Sequence, residues 1–184
     1  MTWSRRRLLR TGGAALAGAS AAALLAGSGR AAEAVRGRRI ALFNLHTSER
    51  LEVEFSRDGA YLPDALSAIE GILRDFRNGE RHAIDPGLLD YLADVAHTLG
   101  VDPSFSVISG YRSAQTNARL HERSAGVAKH SLHMEGRAID VRIAGVDCAA
   151  LSAHALELKR GGVGYYRASD FVHLDTGRVR SWNG

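Results

Sequence analysis

From Arg39 onward apolar and polar residues alternate. The period of two predicts strands over Arg39 to Leu45 and Leu51 to Phe55, joined by a turn around Thr47-Ser48-Glu49. Beyond Pro63 the spacing changes to three and four. Leu66, Ile69, Leu73 and Phe76 then mark one face of a helix, with Asp64 near its start and Asn78-Gly79 closing it. A second helix, Pro86 to Leu99, buries Leu88, Leu92, Val95 and Leu99 and stops at Gly100. Ser104 to Ser109 reads as a short strand that delivers Gly110-Tyr111-Arg112 to a loop before a helix from Ser113 to Arg123.

Alternation returns at Ala138 to Ile143, a strand with Asp140 and Arg142 on one face and Ile139, Val141 and Ile143 on the other. Asp147 to Lys159 is helical with Asp147 as its cap. Gly161-Gly162-Val163-Gly164 breaks it ahead of the aromatic and β-branched run Tyr165 to Asp175. The tail Arg178 to Trp182 either adds an edge strand or packs its tryptophan. The fold class expected is α+β: one domain, with a central antiparallel sheet and helices packed on it.

On this scaffold His133 and Asp140 stand seven residues apart across Gly136, one on a loop and one on the strand it feeds. Imidazole nitrogen and carboxylate oxygen suit zinc, and Gly136 lets the backbone turn left-handed, or approach a neighbour closely, so that both side chains converge. A catalytic zinc site takes three protein ligands and keeps one position open. His173, in the later strand, supplies the third.

The chain's net charge of +4 and pI near 9.6 suggest a polyanionic partner. Arg5, Arg6, Arg7, Arg10 and Arg30 against Glu33 account for all of that charge within residues 1–34, so the remainder is formally neutral and no nucleic-acid partner is expected. Cys148 is the only cysteine, which rules out an internal disulfide. Ser4-Arg5-Arg6-Arg7-Leu8-Leu9 resembles a twin-arginine export signal. The alanine- and glycine-rich run that follows, Gly12 to Gly27, is too short and weakly apolar for a membrane span. Ala32-Glu33-Ala34 has the small-x-small pattern of a cleavage site. The expected organisation is a signal over residues 1–34, read by the Tat export machinery, and a domain over 35–184. The mature form is expected in the periplasm with no stable membrane span; an uncleaved signal would anchor it to the inner membrane.

Ser131-x-His133-x-x-Gly136-x-Ala138-x-Asp140 with the later His173 resembles the zinc peptidases that share a fold with lysostaphin, the D-Ala-D-Ala metallopeptidases and the Hedgehog signalling domain. Ser109-Gly110-Tyr111-Arg112-Ser113, Asn117-Ala118-x-Leu120 and Asp170-Phe171-Val172-His173-x-Asp175-Thr176-Gly177 look like its YcbK (MepK) branch of murein endopeptidases. The resemblance implies one zinc on His133, Asp140 and His173, a Hedgehog-like sheet, and the peptide stems of peptidoglycan as substrate. It implies Asp170 as the acceptor of a proton from the attacking water and Arg112 as the cation that meets the developing oxyanion; should Asp170 not serve, Asp175 and Glu135 are the next candidates. Ser131, Gln115 and Tyr111 are then expected to orient ligands or substrate, and His130 to lie beside them. Two other readings share most of these residues: a D-Ala-D-Ala carboxypeptidase or dipeptidase, and a non-catalytic zinc-containing domain that binds cell wall.

Overall fold

The computed structural model describes residues 37–124 and 127–184; the export signal read over residues 1–34 lies outside the described residues. Eight strands form one sheet: β1 (Arg38–Asn44), β2 (Arg50–Arg57), β3 (Ala60–Tyr61), β4 (Ser104–Ser109), β5 (Ala138–Arg142), β6 (Gly162–Tyr166), β7 (Phe171–Asp175) and β8 (Arg180–Asn183). Their order is β3-β2-β1-β4-β5-β7-β6-β8. The central strands that carry the candidate ligands are antiparallel, β4 with β5 and β5 with β7, while β1 with β4 and β6 with β8 are parallel, so the sheet as a whole is mixed.

Among the described residues four α-helices accompany it: α1 (Pro63–Ile72), α2 (Pro86–Leu99), α3 (Ala114–Arg123) and α4 (Cys148–Glu157). Asp85 caps α2 by accepting from the Gly87 N–H, and Gly100 ends it in the left-handed conformation. Asp147 caps α4, accepting from the Ala149 N–H at 2.7 Å. Helix α1 is shorter than its apolar spacing predicts. Its last carbonyls have tertiary partners, since Ile72 accepts from the Asn44 side chain and Leu73 from the Tyr111 N–H. Residues 75–80 form a turn instead of a further helical turn, with Asp75 N–H bonded to Glu80 and Gly79 N–H to Asp75. The tail satisfies both of its expectations: β8 is an edge strand, and Trp182 packs from it. No helix among the described residues is long and apolar enough to cross a membrane.

Period two in the strands sends one set of side chains into the core. Ile40, Leu42, Phe105, Val107, Ile139, Val141, Val172 and Leu174 are all buried in one cluster with Ile69, Leu88, Leu92, Val95 and Leu151 from the helices. Each such side chain contributes roughly 1.5–3 kcal/mol on leaving water. The intervening residues of β5 and β7, Asp140 and His173, consequently face the opposite side of the sheet.

Tyr91 is the largest fully buried side chain among the described residues, and its hydroxyl donates to the Ala155 carbonyl at 2.9 Å, tying α2 to α4. Burial pushes that hydroxyl up to about 12, above the value of about 10 expected in the unfolded chain. Stability from the neutral hydroxyl is therefore complete below about pH 10 and is lost as the pH climbs through about 12. Tyr91→Phe should cost about 1 kcal/mol near neutrality, and its deficit relative to the parent should shrink across that alkaline window. Denaturant titrations of both proteins check this; a deficit that does not change with pH would contradict it.

Candidate metal centre

Register places two of the three candidate ligands side by side. Asp140 in β5 is the direct cross-strand partner of His173 in β7, and opposite residues of an antiparallel pair hold their Cβ atoms about 5 Å apart. His133 arrives from a 3-10 turn over Leu132–Glu135, capped at its start by the Ser131 hydroxyl, which accepts from the His133 N–H. Gly136 closes this turn at φ 65°, and a Cβ there would lie 2.0 Å from the Ala83 carbonyl oxygen. Both the conformation and the contact require glycine.

The side chains of His133, Asp140 and His173 are 1%, 5% and 8% exposed as residues. Asp140 Oδ1 lies 3.2 Å from His133 Nε2 and 2.9 Å from His173 Nδ1, and the two nitrogens are 3.2 Å apart. Four-coordinate zinc with bonds of about 2.0–2.1 Å requires ligand atoms about 3.3 Å from one another, so the spacing fits one ion. The protons agree. His133 Nδ1 is 2.7 Å from the Gly110 carbonyl, which can only accept, and so carries the hydrogen. His173 Nε2 lies 3.0 Å from Asp175 Oδ2, a partner that can accept its hydrogen. With the His173 hydrogen on Nε2, the three atoms that converge are all lone-pair donors, a set that repels itself unless a cation or a proton sits among them.

Burial drives the His133 imidazole down, more than Asp140 raises it, which keeps it neutral as a ligand must be. For Asp140 burial acts upward, yet the two histidines outweigh it and hold the carboxyl well below the usual range. His173 is raised despite its burial, by Asp140 and Asp175.

Arg112 reaches the outer side of the centre. Its Nη2 donates to Asp140 Oδ2 at 2.8 Å and its Nε to the Ser109 hydroxyl at 2.9 Å. It thereby leaves Asp140 Oδ1 as the oxygen turned to the histidines. A cavity of about 480 Å³ opens over the three groups, bordered also by Arg112, His130, Ser131, Tyr166, Phe171, Arg180 and Trp182. The aromatic wall has an order of its own. Tyr166 stacks on Phe171, the Trp182 indole donates to the Tyr166 hydroxyl, and Trp182 lies 5.2 Å from the His173 ring. Gly164 makes room for it: a Cβ there would meet the indole at 2.5 Å.

Three expected residues fall outside the cavity. Tyr111 is buried, stacked on His82 and bonded through its hydroxyl to Glu80. Gln115 is exposed on α3 and does not border the cavity. Asp170 occupies the left-handed region at φ 50° in the turn between β6 and β7, its side chain 68% exposed and paired with Arg142 at 3.1 Å. Its neighbours Ser169 and Phe171 border the cavity and Asp170 does not, because the turn's left-handed backbone and the pair with Arg142 hold its carboxylate aside. Glu135, one alternative to it, is exposed and paired with Arg137. Arg180 and Trp182 were missed by sequence reasoning; alternation along an edge strand, placing both on one face, was the available signal.

A sheet backed by helices, with His, Asp and His converging on its other face, is what the motifs' resemblance to the D-Ala-D-Ala metallopeptidase superfamily implied. A family model described as peptidoglycan L,D-endopeptidase MepK matches residues 32–182. Peptidoglycan L,D-endopeptidase MepK of Escherichia coli (strain K12) is 41% identical over 179 residues, 97% of each chain. Probable peptidoglycan L,D-endopeptidase MepK of Haemophilus influenzae is 41% identical over 183 residues, 98% of this chain and 96% of that one. No solved structure matches the chain. The chain belongs to the MepK family, within that superfamily.

One metal ion per chain is expected on the three groups. His133→Ala and His173→Ala should each lose it in metal analysis of the purified protein; full retention by both variants would remove the centre from this place.

Proposed function

We propose that the protein is an exported, zinc-dependent murein endopeptidase that hydrolyses peptide cross-links between peptidoglycan stems. The convergence of three lone-pair donors beneath an open cavity is the observation that carries this reading, and the relatives described as peptidoglycan L,D-endopeptidases support the substrate. His133 Nε2, Asp140 Oδ1 and His173 Nδ1 would hold the ion. When bound, zinc lowers the pKa of water and polarises a carbonyl.

The chain's own residues do the rest. Arg112, fixed by Asp140 and Ser109, stands at the cavity edge as a cation for the carbonyl oxygen as it gains charge. The wall of Tyr166, Phe171 and Trp182 holds the peptide on the other side and excludes water from it. Asp170 joins as proton acceptor by leaving Arg142. That pair is exposed and worth at most about 1 kcal/mol, so the ion pair itself is a small obstacle to the move. Asp170→Asn should slow cleavage by about a hundredfold or more with metal retained. Cleavage at the parental rate would leave Asp170 as a turn residue that clamps Arg142.

Digestion of purified muropeptides, followed by mass, tests the reaction itself. Cross-linked dimers should fall to monomers. Loss of terminal D-alanine alone would indicate a carboxypeptidase, and binding without cleavage a non-catalytic wall-binding domain. For the address, the Arg5-Arg6 pair supports twin-arginine export to the periplasm. Replacing both with lysine should leave the precursor in the cytoplasm on fractionation; unchanged export would assign another route.

A further inference from the structure

Asp175 lies two residues beyond His173 on the same face of β7 and is fully buried. Five donors reach its two oxygens. Oδ1 accepts from the Gly162 N–H at 3.1 Å, the Gly177 N–H at 2.8 Å and Arg180 Nη1 at 3.0 Å; Oδ2 accepts from Arg180 Nη2 at 2.6 Å and His173 Nε2 at 3.0 Å. A carboxylate offers about four lone-pair sites. Asp175 is therefore saturated, which excludes it as the proton acceptor of the reaction.

We propose that Asp175 is the positioning residue of the metal centre, held in place by Arg180 of β8, and that it acts by selecting the tautomer of His173. An imidazole has two neutral forms. With hydrogen on Nε2 donated to Asp175, the Nδ1 lone pair faces His133 Nε2 and Asp140 Oδ1. With hydrogen on Nδ1, the same ring donates to Asp140 Oδ1, only 2.9 Å away. That second state satisfies the site internally and puts a proton where the ion belongs. Asp175 opposes it by rewarding the first form with a charge-assisted bond in a buried setting. Arg180 matters because an unpaired buried carboxylate is costly. Its two-nitrogen grip neutralises Asp175 without taking the bond to His173, so the last strand of the chain becomes part of the centre.

This proposal rests on the metal reading above, and the experiment separates the two. Zinc affinity is measured by chelator competition on the full chain, for the parent and Asp175→Asn. The parent should bind one zinc and Asp175→Asn should bind it about 10–100-fold more weakly. Side-chain nitrogen NMR of the zinc-loaded parent supplies a reading that does not depend on whether the variant folds: His173 should carry its hydrogen on Nε2 and His133 on Nδ1. Parental affinity in a folded Asp175→Asn, or a His173 hydrogen on Nδ1, would overturn the proposal while leaving the metal reading intact. A parent that binds no zinc would end both.

Discussion

The cross-strand pairing of Asp140 with His173 is the constraint on which the rest of the site depends. It is set by β5 and β7, whose other faces carry Ile139, Val141, Val172 and Leu174 into the core. A slip of one residue in either strand would turn its apolar set toward the cavity and its ligand into the core. Hydrophobic burial therefore fixes the register, and the register fixes the ligand geometry. Only His133 needs a separate device, the capped turn that ends at Gly136.

Two buried carboxylates sit at this centre, and each has its own arginine. Asp140 has Arg112 and Asp175 has Arg180, at 2.8 and 2.6 Å. Removing one member of such a buried pair typically costs about 3–5 kcal/mol, because the other charge is left uncompensated. The pairs also divide the work. Arg112 takes the outer oxygen of a ligand and leaves the inner one free, whereas Arg180 locks a carboxylate that touches only a ligand's far nitrogen. With the acidic groups committed, the cavity keeps arginine donors and an aromatic wall for an incoming peptide.

Much of this was legible in the sequence. Alternation gave β1, β2, β4 and β5 nearly to the residue, and the convergence of His133, Asp140 and His173 followed from donor chemistry and one glycine. What was hidden depended on distant partners. The end of α1 is set by Asn44 and Tyr111 taking its carbonyls, and no local spacing encodes that. Tyr111 and Gln115 flank Arg112 and Ser113 in sequence, but the loop turns the first into the core and the helix leaves the second in solvent. Asp170 illustrates the limit of motif reading: spacing from His173 names the residue, while its positive φ and the nearby Arg142 decide where its carboxylate rests.

We propose that a single ion held by these three groups is what makes the fold a hydrolase. Stepwise addition of zinc to chelator-stripped protein, with release of monomers from cross-linked murein followed at each step, tests it most directly. Activity should rise in proportion to zinc and level off at one equivalent per chain. Full cleavage by the stripped protein, or activity that never returns while one zinc is bound, would show that the ion does not do this work.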